Sequence, residues 1–252
     1  MRRDAARLLA SAARPCPEAI RKEELDRLPA PMARYLRLAG VPGKKRTACS
    51  RLRQAGFFRT APGKPWLPMA AEEYHVAEPP GFLWYGVVKA MPLVNIAAKD
   101  MFAGGRGRML VKLAGLFTLA DATGPEVDQG ELLRYLGEIA WFPTAWLSPR
   151  LAWQELDERT CTVAISLGGQ SASATIHFNR RGLPARLTAM RPREVKGKYP
   201  LDPWAGTVMR YREMDGLVIP TEAMATWRLA SGDFHYFRGR IEHIEYDRPE
   251  PF

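Results

Sequence analysis

Cysteine is scarce in this chain of 252 residues, with only Cys16, Cys49 and Cys161 and no CxxC pair among them. An odd and sparse set of this kind is typical of a reducing compartment, and it predicts neither a disulfide framework nor a thiolate metal site. Long apolar runs are missing as well. Asp4 and Arg7 interrupt the apolar start, and no stretch approaches the roughly 18 apolar residues that a membrane span needs. We therefore expect a cytoplasmic protein, either free or peripheral to a membrane.

The residue spacings of metal, nucleotide and serine-hydrolase sites are also missing. The histidines His75, His177, His235 and His243 lie far apart in the sequence, and no HExxH or comparable zinc spacing joins them. Residues 104–107 are glycine-rich, but they precede a predicted strand and have neither dinucleotide nor Walker spacing. No GxSxG elbow occurs. We expect no metal and no cofactor. The missing motifs favour a protein that is not an enzyme, without deciding the question.

Basic residues outnumber acidic residues by 37 to 27, and 28 of the 37 are arginines. The formal net charge is +10, and the excess is concentrated in residues 44–59 and 180–198. Such stretches favour an anionic membrane surface or an anionic small molecule, although a solvated basic surface has the same composition. We expect no nucleic-acid partner because no recognition helix or stacking platform is evident, and the sequence indicates no particular oligomeric state.

Strict alternation of apolar and polar residues predicts antiparallel strands over most of the chain. In residues 160–167 and 171–178 every second side chain is apolar, and the glycines between them are typical of a tight hairpin. The same pattern elsewhere gives about ten strands, mostly joined to their neighbours by hairpins. We predict a mainly β (α+β) protein with an N-terminal helical segment, residues 1–43, and a single curved antiparallel sheet or half-barrel, residues 44–252.

One helical insert, residues 124–149, interrupts the predicted sheet, and the economical place for it is the concave face. Its helix has an apolar face that includes Leu136 and a polar stripe of Glu131, Arg134 and Glu138 at positions i, i+3 and i+7. The stripe is either a solvated ion-pair ladder or a set of groups facing a cleft. In the second interpretation these three residues are the candidate catalytic groups of a hydrolase-type enzyme.

Four large apolar side chains follow the helix between residues 141 and 147. They either plug the core beneath the helix or line the wall of an apolar pocket, with aromatic residues of the first strands opposite. The candidate ligand-binding residues are Trp66, Tyr74, Trp84, Tyr85, Met101, Leu136, Trp141, Phe142 and Trp146.

Three phrases of the sequence resemble a bacterial family of unknown function, over about residues 28–248. They read LPAPMARYLRLAGVPG, GPEVDQGELLRYLGEIAWFPTAWLSP and DGLVIPTEAMATWRLASGDFHYFRGRIEHIEY. The predicted layout is also similar to the half-barrel of periplasmic lipoprotein carriers, which hold acyl chains between sheet and helix, although this sequence shows no export signal. This resemblance implies an apolar or amphipathic, lipid-like ligand between sheet and helix. Ligand binding is our leading hypothesis, and the hydrolase-type enzyme is the alternative.

Overall fold

The computed structural model describes residues 1–13, 17–91 and 94–252, so Cys16 lies outside the described residues. Within these ranges the chain forms thirteen strands and three α-helices. The strands are β1 (Cys49–Phe58), β2 (Leu67–Val76), β3 (Gly81–Met91), β4 (Val94–Ala103), β5 (Arg106–Leu113), β6 (Phe117–Ala122), β7 (Leu151–Asp157), β8 (Thr160–Leu167), β9 (Gln170–Phe178), β10 (Pro184–Pro192), β11 (Leu201–Met214), β12 (Leu217–Leu229) and β13 (Gly232–Tyr246). The helices are α1 (Arg2–Ala10), α2 (Ala30–Leu38) and α3 (Pro125–Glu138).

All the described strands join one antiparallel sheet in the order β6-β5-β4-β3-β2-β1-β13-β12-β11-β10-β9-β8-β7. Neighbours in the sheet are consecutive in the chain, except that β1 pairs with β13. The consecutive strands β6 and β7 lie at opposite edges of the sheet, and α3 lies between them in the chain. The mainly β class and the half-barrel predicted from alternation are confirmed. The strand count exceeds the expected ten because β6 and β7 are the edge strands. Their side chains are largely exposed, so they show no alternation of buried and exposed positions.

The β8–β9 hairpin shows how the local sequence sets the register of the sheet. Leu167 pairs with Gln170, so Gly168 and Gly169 form a two-residue loop with φ angles of +63° and +82°. Both central residues of such a turn need positive φ, which glycine adopts without steric cost. The register then directs one face of both strands into the core, as the alternating sequence predicts.

The two N-terminal helices cover different parts of the sheet. Helix α1 lies on the convex face, where Leu8 and Leu9 pack against Tyr74, Val76 and Leu83 in a small separate core. Helix α2 contributes its buried side chains to the main core. None of the described helices is long and apolar enough to cross a membrane.

Helix α3 lies inside the curl of the sheet, where it contacts β4 and β5 from one end and β8, β9 and β10 from the other. A Cβ added at Gly107 would lie 2.8 Å from the carbonyl oxygen of Val127, so this close approach of strand and helix requires glycine. The two ends of the sheet also meet through their turns, because a Cβ added at Gly105 would lie 2.7 Å from the Cα of Gly168. The predicted position of the insert on the concave face is confirmed.

Two short 3-10 turns, Ile139–Trp141 and Pro143–Leu147, continue the insert beyond α3. They bury Phe142 and Trp146 in the main core, and Trp146 packs against Trp153 with ring centroids 5.6 Å apart. Phe142 and Trp146 therefore fill the space beneath the helix. Trp141 keeps part of its surface exposed.

Candidate functional site

Ionisable side chains from three elements meet on the concave face, and we call them the charge cluster. Its members are Glu73 and His75 of β2, Asp100 of β4, and Arg134 and Glu138 of α3. Successive side chains of a strand point to opposite faces, so Glu73 and His75 share the concave side of β2. The buried side of α3 supplies the remaining two groups. The helix stripe predicted from the sequence therefore faces the sheet.

Arg134 is the centre of the charge cluster, because its guanidinium donates to three carboxylates. Nε donates to Glu138 Oε1 at 2.7 Å, Nη1 to Asp100 Oδ2 at 2.5 Å and Nη2 to Glu73 Oε1 at 3.1 Å. The guanidinium carbon also lies 4.9 Å from the Phe82 ring centroid. Only arginine offers enough fixed donors for three acceptors at once.

His75 lies between two of these carboxylates and a serine. Its Nε2 is 3.4 Å from Glu138 Oε2 and 3.8 Å from Glu73 Oε1, while Nδ1 is 3.3 Å from Ser50 Oγ. A line of serine, histidine and glutamate is the arrangement of a hydrolase triad. Ser50, however, has no exposed surface, so no substrate reaches its hydroxyl in this conformation.

A chain of hydrogen bonds fixes the other side of Glu73. Its Oε2 accepts from Gln54 Nε2 at 2.8 Å, and Gln54 Oε1 in turn accepts from Trp84 Nε1 at 3.1 Å. The ring of Phe142 packs on His75 at 5.1 Å between centroids. The orientations of Glu73 and His75 are thus set by groups outside the charge cluster.

Burial and charge shift the pKa values of these groups in opposite directions. Burial raises the pKa of Glu73 well above its ordinary value, Glu138 adds to this effect and Arg134 opposes it. Burial also opposes ionisation of Glu138, but Arg134 and His75 outweigh it and hold the pKa of Glu138 at about 2. Burial lowers the pKa of His75. Near neutral pH the cluster therefore contains ionised Glu138 and neutral His75.

Glu131, the third member of the predicted stripe, lies one turn before Arg134 and is 6% exposed. Burial, followed by repulsion from Asp100, raises the pKa of its carboxyl to about 8, against the opposing charges of Arg134 and Arg191. Its Oε2 is buried and has no hydrogen-bond partner among the described residues.

A second group of side chains lies at the ends of β1, β10, β11, β12 and β13, and we call it the aromatic–arginine patch. It consists of half-buried aromatic and arginine side chains. These are Phe58, Trp204, Trp227, Phe234, Tyr236, Arg191 and Arg193. Trp227 pairs across strands with both Trp204 and Phe234. It lies two residues from Ala225, so it shares the concave face with the core side chains of β12.

Contacts within the aromatic–arginine patch hold its rings in place. Tyr236 stacks with Trp227 at 6.1 Å between centroids, and its hydroxyl accepts from Trp204 Nε1 at 2.9 Å. The guanidinium carbon of Arg191 lies 5.6 Å from the Trp204 centroid.

Arg191 lies where the aromatic–arginine patch borders α3. A Cβ added at Gly130 of the helix would be 3.9 Å from Arg191 Nε. The charge of Arg191 also lowers the pKa of Asp100 and of Glu131 against the larger effect of burial. The charge cluster and the aromatic–arginine patch are therefore neighbouring parts of one concave surface.

The cavity next to the charge cluster is small, about 10 Å³. It is lined by Gln54, Trp141, Thr221, Ala223, Phe237, Gly239 and Ile241. A wider cleft of about 510 Å³ opens on the surface around Arg159 and His177, and it shares no lining residue with the charge cluster or the aromatic–arginine patch.

The nine predicted ligand-binding residues divide between three places. Trp84, Leu136, Trp141, Phe142 and Trp146 belong to or pack on the main core beneath the helix. The other four lie elsewhere. Strand alternation directs Tyr74, Tyr85 and Met101 to the convex face, and Trp66 packs against Arg59 beside the turn between β1 and β2.

The sequence interpretation missed most of the functional candidates on the strands. Glu73 and His75 were visible as two ionisable residues of the same parity in one predicted strand. Asp100 and Arg191 gave no comparable signal, because their roles depend on pairing between distant parts of the chain.

A family model described as a family of unknown function, DUF6544, matches residues 18–239. No match is found among curated proteins. Among solved structures, the chain is similar to a DUF1329 family protein from Desulfovibrio piger, with a TM-score of 0.49 and 10% identity over 90% of this chain and 93% of that chain. It is also similar to a LolA superfamily protein from Nitrosomonas europaea, with a TM-score of 0.37 and 11% identity over 79% and 86% of the two chains. These likenesses carry no information on function.

Proposed function

The chain belongs to the DUF6544 family of unknown function, and we propose from its concave face that it binds an amphipathic ligand with an anionic head group. The observation that carries this proposal is the aromatic–arginine patch. It combines apolar rings with cations on a face that α3 leaves uncovered.

Arg191 of the patch is available to an anion. It has no carboxylate within ion-pairing distance among the described residues, and its side-chain hydrogen bond there is a long one, from Nη1 to the Tyr236 hydroxyl at 3.4 Å. A carboxylate or phosphate oxygen would give it a charge-assisted hydrogen bond. Arg193 differs, because its Nε already donates to Asp202 at 2.6 Å. We therefore assign the anionic head group to Arg191.

The aromatic rings supply the apolar part of the site. Removing apolar surface from water contributes about 25 cal/mol per Å², so an acyl chain laid across half-buried rings gains free energy without any new cavity. The cavity beneath the helix, about 10 Å³, is far below the roughly 300 Å³ of an ordinary ligand pocket. The proposed ligand is still lipid-like, as expected from the sequence, but its acyl chain lies on the surface beside α3.

Binding of dodecanoate, followed by tryptophan fluorescence, tests this proposal. We expect saturable quenching with dodecanoate and much weaker binding of dodecanol, which has the same chain without the charge. Arg191→Gln should weaken dodecanoate binding by roughly tenfold, as expected for a lost charge-assisted hydrogen bond. Arg228→Gln is the matched control, because Arg228 is exposed, follows Trp227 and points to the opposite face. Equal binding of acid and alcohol, or equal losses in both variants, would contradict the proposal.

We also propose that the tip between β5 and β6 docks on an anionic membrane. Leu116 and Phe117 are 77% and 66% exposed there, and Met91 of β3 is 63% exposed. Lys89 and Lys112 lie on the neighbouring strands. Exposed apolar side chains next to lysines suit the boundary between acyl chains and anionic head groups.

A further inference from the structure

We infer that Glu73, His75 and Glu138 form a binding site for a divalent transition-metal ion of the zinc or manganese type. One ligand atom from each residue lies within 4.8 Å of the other two. Ligands bound to one metal at about 2.1 Å in a tetrahedral arrangement lie roughly 3.4 Å apart. The separations from His75 Nε2 to Glu138 Oε2 and to Glu73 Oε1, 3.4 and 3.8 Å, are close to that value. One imidazole with two carboxylates is a suitable ligand set for these ions.

Each of the three side chains is oriented by a contact with a further group that is not one of the proposed ligands. Ser50 Oγ contacts His75 Nδ1, Gln54 donates to Glu73 Oε2, and Arg134 donates to Glu138 Oε1. The proposed ligand atoms, His75 Nε2, Glu73 Oε1 and Glu138 Oε2, face one another. Metal sites are built in this way, with outer hydrogen bonds that fix the orientation of each ligand.

The net charge of the ionised cluster also favours binding of a divalent cation. Glu73, Asp100 and Glu138 place three carboxylates around the single guanidinium of Arg134, so the fully ionised set has two uncompensated negative charges. A divalent ion neutralises both. Arg134 Nη2 donates to Glu73 Oε1, the same atom that faces His75, so metal and guanidinium would share this oxygen.

A small space of about 10 Å³ lies one layer of side chains away from the site. It is lined by Gln54 and Trp141, which contact Glu73 and His75 respectively. Thr221, 3% exposed, also lines it, and its Oγ1 is buried without a hydrogen-bond partner among the described residues. None of the three proposed ligands lines this space, so their three side chains alone define the site.

The test uses the full chain after treatment with a chelator and desalting. Zn²⁺, Mn²⁺ and Mg²⁺ are added separately, and bound metal is counted by elemental analysis while Tm is followed. We expect about one tightly held Zn²⁺ or Mn²⁺ per chain, a rise in Tm of several degrees, and little effect of Mg²⁺. Absence of bound metal at a slight molar excess would overturn the inference.

Substitutions then locate the ion. Glu138→Gln should weaken Zn²⁺ binding by roughly a hundredfold or more, whereas Glu131→Gln, a buried carboxyl of the same helix outside the site, should leave it unchanged. His243→Gln controls for binding by an exposed histidine. Because a substitution at Glu138 could also impair folding, X-ray absorption of the zinc-loaded unmodified chain gives an independent outcome. One imidazole with oxygen ligands supports the site, and sulfur ligands or several imidazoles would overturn it.

Discussion

Two arginines of the concave face have opposite surroundings. Arg134 lies on the side of α3 that faces the sheet, where its guanidinium donates to Glu73, Asp100 and Glu138. Arg191 lies beside the helix, where its neighbours are the rings of the aromatic–arginine patch and no carboxylate pairs with it among the described residues.

This difference separates a cation needed by the fold from a cation left for a ligand. A buried charge that loses its partner strongly destabilises the folded state. Arg134 is therefore needed for stability, whatever the function of the protein. Arg191 is stabilised by faces of rings and by a long hydrogen bond from Nη1 to the Tyr236 hydroxyl, at 3.4 Å. Its other N–H groups have no carboxylate partner among the described residues and are available to an anion.

Replacing each arginine by methionine tests this contrast directly. Arg134→Met should lower the free energy of unfolding by about 3–5 kcal/mol, because it leaves three carboxyl groups near one another without a cation. Arg191→Met should lower it by less than about 1 kcal/mol, since mainly a partly exposed cation–π contact is lost. Urea denaturation of both variants at neutral pH measures the difference. Losses of similar size would show that Arg191 is structural as well.

The pH dependence of stability should reveal Glu131. Its folded pKa of about 8 exceeds the unfolded value of 4.5, so the folded state retains a proton that the unfolded state releases. This contribution to stability therefore falls as pH rises from about 5 to 8, by about 1.4 kcal/mol for each unit of the shift. The facing groups are Asp100 of β4, Arg191 of β10, and Arg134 and Glu138 of the same helix.

Urea denaturation at pH 5, 7 and 9 checks this prediction. Glu131→Gln should lessen the decline and make the chain more stable than the unmodified protein at pH 9, because glutamine does not ionise. An unchanged decline in the variant would assign the pH dependence to another group.

The position of α3, which brings Arg134 to its carboxylates, can be tested with two glycines. Gly107→Ala should cost about 1–3 kcal/mol, because the new Cβ would meet the Val127 carbonyl at 2.8 Å. Gly137→Ala has open space and should stabilise the helix by roughly 0.5–1 kcal/mol. Thermal unfolding of both variants measures the two effects, and equal shifts in Tm would contradict the close packing of α3 on β5.

The smallest expected effect concerns the tip between β5 and β6. Phe117→Ser should reduce sedimentation with vesicles of phosphatidylcholine and phosphatidylserine several-fold, and added salt should reduce it further. Leu156→Ser is the control, because Leu156 is an exposed leucine of β7 at the other edge of the sheet. Binding that is insensitive to Phe117 would remove the membrane proposal and leave the contrast between the two arginines unaffected.

Local patterns in the sequence were sufficient to predict most of the sheet. In β8 and β9 one face is buried and the other is exposed, so alternation is visible in the residues themselves. The edge strands β6 and β7 were not predicted. Most of their side chains are exposed on both faces, so neither face needs to be apolar. The stripe of Glu131, Arg134 and Glu138 was predicted from helix spacing, but its burial depends on the sheet that curls around it.

The charge cluster and the aromatic–arginine patch could be predicted only in fragments. Arg134 meets Asp100 across 34 positions of the chain, and Trp204 meets Tyr236 across 32. Such partners are set by strand order and by the bulge that shifts β13 against β12 between Ala225 and Thr226. Neither is encoded in a short window of sequence.

The openness of the sheet has a consequence for association between copies of this chain. Its two ends meet at Gly105 and Gly168, but β6 and β7 do not pair with each other, so both keep an outer row of backbone donors and acceptors. Unpaired edges of this kind are templates for β-pairing between molecules. Leu119 and Leu156 are exposed along them. We expect edge-to-edge aggregation, rather than loss of the core, to limit the concentration at which this protein stays monodisperse.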